Sequence, residues 1–259
     1  MKIAIVLTVR MKSKRLPKKS ILKIKGKTII EHLIDRVKLA KIPDMVVLCT
    51  STHPDDEILC KIAERNKILF FRGSENDKLY RYLCAARKFG FDYMIDVSGD
   101  NIFPSIEYID FFANIFKNHE YDAIICEGLP LGCTPIGLKI KAIEKICNMK
   151  LEENTEAYLT YFFKSKIFNI LKVYAKPELN RPNIRLTIDY KEDYKLIKKI
   201  FEVLNIEKNN IPLKRIVELF ERYPELREIN KEAQKKYEEN FKKLPQPKVK
   251  QEYANYFTF

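Results

Sequence analysis

Apolar residues recur along most of the chain in two alternating rhythms. Residues 2–9 (KIAIVLTV) form a short run that is apolar and β-branched throughout its middle, the pattern of a strand buried on both faces of a parallel sheet. Over residues 28–40 the apolar positions are instead Ile29, Ile30, Leu33, Ile34 and Val37. That three-and-four spacing predicts a helix packed on a sheet. The same pair of rhythms then predicts a strand at 45–50, a helix at 54–65, a strand at 68–71, a helix at 77–89 and a strand at 93–97. Strands alternating with helices imply right-handed crossovers and an α/β, Rossmann-type architecture, with a mostly parallel central sheet flanked by helices.

Beyond residue 100 the alternation loosens. The pattern predicts a helix at 105–118, a strand at 123–126, a turn rich in Pro and Gly at 129–137 and a helix from 141. A helix at 153–163, strands at 168–174 and 185–188 and a helix at 190–204 follow. Residues 215–243 mix Lys and Glu as a solvated helix face does. Pro245 and Pro247 then mark an arm, which divides the chain into one domain at 1–243 and a C-terminal arm at 244–259. The apolar ending of that arm, from Tyr253 to Phe259, predicts packing on the body or on a second subunit.

No apolar run approaches the roughly 20 residues that a bilayer span requires, and no cleavable leader is recognisable, which predicts a soluble cytoplasmic protein without a membrane partner. Six cysteines without a CxxC pair argue against a zinc knuckle or a disulfide framework. Net charge is +13, and its distribution matters more than its size: ten Lys and Arg residues precede the first acidic residue, Glu31. Such a surface suits a phosphate-bearing partner.

The chemistry-bearing segments all fall after predicted strands, where open parallel sheets bind ligands. Arg10 to Lys19 (RMKSKRLPKK) places a cluster of cations beside unpaired loop N–H groups, which suits a polyphosphate; a solvated basic loop is the alternative. Ser98-Gly99-Asp100 follows the strand at 93–97, and Asp189 follows that at 185–188. Two carboxylates at one sheet edge suit a single Mg²⁺ bridging triphosphate oxygens, while either Asp alone reads equally as a helix N-cap. His32 and His119 lie in or beside helices without a partner motif, His53 suits a turn leading into a helix, and Tyr158, Tyr161, Phe162 and Phe163 read as core.

Four ordered segments carry a family resemblance. Arg10, Ser13, Arg15, Leu16, Pro17 and Lys19 match the ARxGSxRLPxK signature of the CMP-sugar cytidylyltransferases, the group that holds CMP-KDO and CMP-sialic acid synthetases and the SpsF proteins of polysaccharide biosynthesis. Phe71 to Ser74 with Asp77 and Arg81 resembles FRGSxxDxxxRY, Ser98 to Asp100 resembles TGD, and Arg185 to Asp189 with Glu192 and Asp193 resembles RLTVDxxED. The resemblance implies a glycosyltransferase-A type, nucleotidyltransferase-like fold, CTP as the nucleotide, a small anionic acceptor and Mg²⁺. It implies catalytic roles for Lys19, Arg15 and Asp100, nucleotide contacts from Arg10, Ser13, Arg15, Lys19, Arg72 and Ser98, and metal ligation by Asp100 and Asp189. Dimers are frequent in that family, which leaves a homodimer open.

The chain also departs from the pattern. Lys12 and Lys18 replace two glycines of the signature, which predicts a loop without positive φ at those places. Residues 155–162 align with REHVTPYF of the SpsF branch but lack its Arg and His, which implies a different acceptor. Two other functions fit parts of the sequence. A nucleotide-sugar-dependent glycosyltransferase of the same fold ordinarily shows a DxD-like pair, and Ser98-Gly99-Asp100 is not one. A nucleic-acid-binding protein would use the basic N-terminal surface, but interleaved aromatics and a recognition helix are missing, so nucleic acid is not expected as a partner.

Overall fold

The computed structural model describes residues 1–13, 15–241 and 246–258. Strand β1 (Ile3–Thr8) buries alternate side chains on opposite sides, as the two-residue period of a strand requires. A small hairpin, β2 (Lys23–Ile24) and β3 (Lys27–Thr28), leads into α1 (Ile29–Val37), whose start is fixed by a reciprocal Thr28/Glu31 capping box. There follow β4 (Met45–Ser51), α2 (Glu57–Arg65), β5 (Leu69–Gly73), α3 (Lys78–Phe89), β6 (Tyr93–Ser98) and α4 (Ile106–Asn118). Next come β7 (Ala123–Glu127), β8 (Ile136–Lys139), α5 (Ile140–Met149), α6 (Leu159–Phe163), β9 (Ile170–Tyr174), α7 (Lys191–Val203), α8 (Leu213–Arg222) and α9 (Lys231–Phe241).

Seven strands form one sheet in the order β5-β4-β1-β6-β8-β7-β9. All neighbours are parallel except β8, which runs antiparallel to both β6 and β7. Helices cover both faces. Ile3, Ile5 and Leu7 of β1 join a core with α1, α4 and α7, and Ala4 and Val6 join one with α3, α5 and α6. Register sets the site: Thr8 of β1 stands opposite Cys49 of β4 and Ser98 of β6, so the loops that follow these strands leave the sheet at one edge. Among the described residues no helix is long and apolar enough to cross a membrane.

Three sequence-derived elements differ. Strand β8 falls across the end of the expected turn at 129–137, because a four-residue strand containing Gly137 carries too little pattern to be seen. The expected helix at 153–163 is confined to Leu159–Phe163, since Thr155 is drawn into tertiary bonds: its hydroxyl donates to Asp77 Oδ1 (3.0 Å) and accepts from Leu79 N–H (3.0 Å). Residues 185–188 do not join the sheet as a strand. They cross its carboxyl edge in extended form, held by single bridges between Thr187 and Asn101 and between Arg185 and Leu131.

The described part of the arm packs on the body. Val249 pairs with Lys150 and Phe257 with Ser165 in isolated antiparallel bridges, and both apolar side chains are buried. Lys14, Leu244, Pro245 and Phe259, which figure in the basic-loop and arm expectations, lie outside the described residues.

Candidate active site

The loop after β1 is anchored from both ends. Met11 and Leu16 are buried, and the carboxylate of Asp56 accepts from Met11 N–H (2.7 Å) while also binding Thr50 and Ser51 at the end of β4. Lys18 takes φ +55°, contrary to the expectation of a loop without positive φ there. Its carbonyl must accept from Ile21 N–H (3.1 Å) to start the short 3-10 turn Lys19–Ile21, and only a left-handed residue reverses the chain tightly enough. Lys18 itself points to solvent, whereas Lys12 keeps a negative φ and bonds Glu75 (2.8 Å).

From this turn Lys19 reaches the strand-end carboxylates. Its Nζ donates to Asp100 Oδ2 (2.6 Å) and to Asp189 Oδ1 (3.0 Å), so both carboxylates converge on one cation. Arg15 Nη2 bonds the same Asp189 oxygen, with its guanidinium 5.5 Å from the Tyr190 ring. Gly99 lets this approach occur: its N–H donates to Thr8 C=O (2.7 Å), and a Cβ there would come within 2.6 Å of Val9. Ile188 N–H donates to Asp100 C=O (3.0 Å), which ties the two distant segments together directly.

Asp189 is held from behind. Arg185 donates to Asp189 Oδ2 (3.1 Å) and to Asp193 (2.8 Å), and Asp193 also accepts from the N–H groups of Asp189 and Tyr190 and from Asn230. Burial works to raise the Asp189 carboxyl, but Lys19 and Arg15 outweigh it and hold that carboxyl below the usual range. Burial likewise works to lower the Lys19 ammonium, yet Asp100 and Asp189 keep it above the ordinary lysine value. At neutral pH Lys19 and Asp189 are both charged.

Two clefts flank the triad of Lys19, Asp100 and Asp189. One, of about 380 Å³, is lined by the basic loop, including Arg10, Ser13 and Lys19. The other, of about 750 Å³, extends past Asn101, Thr187 and Asp189 to the 152–157 segment. Arg15, Lys78, Ser98, Asp100 and Glu156 border both. Arg10 is tied to Glu156 and to the backbone of Glu75. Of the expected residues, the structure therefore brings together Arg10, Ser13, Arg15, Lys19, Ser98, Asp100 and Asp189. Arg72 is not among them: it lies on β5, its guanidinium bound by the carbonyls of Ser51, Thr52 and His53 and by Glu57.

The remaining motif positions build the frame. Arg81 is wholly buried and bonds the backbone of Ser74 and Glu75, and Asp77 caps α3 while bonding Lys150 and Thr155. His53 caps the short turn before α2, as expected of a residue leading into a helix, and Tyr158, Tyr161 and Phe162 are core while Phe163 is half exposed. Lys78 and Asn101 lie outside every sequence expectation. Asp96, a charge in the middle of an otherwise apolar strand, is the signal that points to Lys78, because a buried carboxylate requires a buried partner.

Comparisons with known proteins identify the family and the fold. A family model described as Cytidylyltransferase matches residues 3–244. An uncharacterized protein of Methanocaldococcus jannaschii is 30% identical over 247 residues, covering 92% of this chain and 99% of that protein. The spore coat polysaccharide biosynthesis protein SpsF of Bacillus subtilis is 25% identical over 230 residues, covering 86% and 95%. A solved cytidylyltransferase structure from Leptospira borgpetersenii shares the fold at a TM-score of 0.79 and 23% identity, covering 87% of this chain and 96% of that one. Because the family match spans nearly the whole chain, through the basic loop, Asp100 and Asp189, the chain belongs to the cytidylyltransferase family and is a nucleotidyltransferase.

Proposed function

We propose that the protein transfers CMP from CTP to a small anionic acceptor in a Mg²⁺-dependent reaction that releases pyrophosphate. The observation that carries this reading is the convergence of Asp100 and Asp189 on a single cation, Lys19, at the mouth of the basic loop. Two aspartate carboxylates are hard oxygen donors, and Mg²⁺ is commonly held by one or two carboxylates with substrate phosphates completing its shell. The donor set therefore fits, with Asp100 and Asp189 as the residues that would hold the ion. When bound, Mg²⁺ supplies neutralisation of phosphate charge.

The chain's own residues supply the rest. Arg15 and Lys19 give up carboxylate partners for triphosphate oxygens, while Arg10, Ser13 and Ser98 border the same cleft and orient the nucleotide. An acceptor oxygen in the adjoining cleft attacks the α-phosphorus. The bond from that phosphorus to the bridging oxygen breaks, and its electron pair leaves with pyrophosphate, whose charge Lys19 and Arg15 stabilise. A hydroxyl acceptor releases its proton to solvent. Such chemistry depends mainly on positioning and charge, which suits a site built of fixed ion pairs. The reading includes a cytoplasmic location, supported by six unpaired cysteines.

The test is a scan of the four nucleoside triphosphates against sugar acids and phosphorylated acceptors, read as pyrophosphate formed. CTP is expected to react alone, and Asp100→Asn or Asp189→Asn to reduce turnover by about two orders of magnitude or more while the protein still folds. Equal turnover with all four nucleotides, or unimpaired Asn variants, would overturn the reading.

A further inference from the structure

Lys78 stands at an electrostatically unfavourable place for a lysine, offset in part by Asp96. It is the first residue of α3, where the helix dipole opposes a cation, and it is 8% exposed. Its Nζ lies 3.2 Å from Asp96 Oδ2, 4.8 Å from the centroid of Tyr158 and 5.5 Å from that of Tyr82. Asp96 does not need it for hydrogen bonding, since the hydroxyls of Tyr82 (2.7 Å), Tyr158 (2.6 Å) and Thr8 (3.2 Å) already donate to its two oxygens. A buried ion pair in such a place adds little to stability, because desolvating both charges offsets their attraction.

The charge arrangement around the clefts gives Lys78 a use. Three cations of the basic loop have counter-ions that themselves border a cleft: Glu156 for Arg10, Asp189 for Arg15, Asp100 and Asp189 for Lys19; Lys12, exposed at the rim of the smaller cleft, pairs with Glu75 instead. Asp96, the counter-ion of Lys78, borders neither cleft and pairs with it from beneath the floor. Among the described residues Lys78 is thus the buried cleft-lining cation whose partner does not compete for a ligand on the cleft side. It also sits at the junction of the two clefts, and in the larger one the other cation is Arg15, committed to Asp189. The neutral polar groups around it there, Asn101, Asn154 and Thr187, suit hydroxyls.

We propose that Lys78 recognises the anionic group of a polyhydroxylated acceptor, and so sets acceptor choice. This rests on the cytidylyltransferase reading and names the residue and ligand chemistry of its acceptor side. Carboxylate and phosphate present the same charge-assisted acceptor oxygens to an ammonium, and the test separates them.

The protein is first saturated with a non-hydrolysable CTP analogue and Mn²⁺, the analogue's affinity being measured by calorimetry. Gluconate against glucitol, and glucose 6-phosphate against glucose, are then titrated as probes and followed by ligand-observed NMR. Wild-type protein is expected to bind at least one anion more tightly than its neutral counterpart. Lys78→Met is expected to lose that preference by roughly ten- to hundredfold while binding the CTP analogue as wild type does. Gluconate preference identifies a carboxylate acceptor and glucose 6-phosphate preference a phosphorylated one.

The doubly neutral Lys78→Met/Asp96→Asn protein, which leaves no buried carboxylate without its cation, is expected to behave like the single variant and guards against misfolding. No anion preference in wild type, or the same preference in the variants, would overturn the assignment. A fall in CTP-analogue affinity equal to the loss in anion binding would also overturn it, by assigning Lys78 to the nucleotide. Failure of wild-type protein to bind the CTP analogue would instead count against the cytidylyltransferase reading itself.

Discussion

Asp193 has no solvent exposure, yet five donors from Arg185, Asp189, Tyr190 and Asn230 converge on its two oxygens. Removing it leaves Arg185 buried with a single carboxylate and Asp189 without the clamp that aims it. Asp193→Ala is therefore expected to cost about 3–5 kcal/mol of unfolding free energy, measured by urea denaturation, and a cost near zero would show that the clamp is dispensable. The pH response of the neighbouring Asp189 and Lys19 follows from their shifts. Asp189 is held below the usual carboxylate range, so its contribution to stability is present above the unfolded value of about 4 and is lost as pH falls through the lower folded value. Lys19 is held above its ordinary value, so its contribution is present below about 10.5 and is lost only as pH rises past the folded value. Wild-type protein is expected to lose stability more steeply than Asp189→Asn on acidification below about pH 4, with no difference in slope between pH 6 and 9, as followed by thermal melting across pH.

The elements that patterning reveals are those whose burial is regular. Strands β1, β4 and β6 are legible because both faces of the sheet are covered by helices, and α1 and α4 because one face of each meets the core. Asp100 is legible as a residue beyond a strand end, Asp189 follows an extended segment that is not a strand of the sheet, and the motif resemblance links them. What pattern cannot show is the crossing of residues 185–188 over the sheet edge, because its hydrogen bonds go to Asp100 and Leu131, remote in sequence, and not to a neighbouring strand. That crossing depends on Gly132. At φ +92° a Cβ there would lie 2.5 Å from Thr187 N, and the obstacle is backbone, which cannot turn aside. Gly132→Ala is expected to cost about 1–3 kcal/mol and to lower turnover beyond its effect on stability, by displacing Asp189. Unchanged melting temperature together with unchanged turnover would show that the crossing adapts.

The molecule as a whole divides its work between two origins in the chain. The cleft beneath the basic loop is walled largely by residues before 101, whereas Glu152, Asn154, Glu156, Thr187 and Asp189 on the other side come from later segments. CTP with Mg²⁺ is expected to raise the melting temperature more than ATP or GTP does at equal concentration, since a ligand at a hundred times its Kd stabilises by about 2.7 kcal/mol. Equal shifts in differential scanning calorimetry would remove the cytidine preference. The described arm braces the acceptor-side wall from outside: Leu151 N–H donates to Lys248 C=O (2.9 Å), Thr258 N–H to Lys164 C=O (2.7 Å), and Phe257 packs 6.3 Å from Tyr161. That brace has a consequence for biosynthesis. Ribosomes deliver 246–258 after the segment at 150–166, so a growing chain makes that wall before the residues that tie it from outside. The wall at 150–166 therefore gains its outer tie only after the intervening helices of the domain have been synthesised.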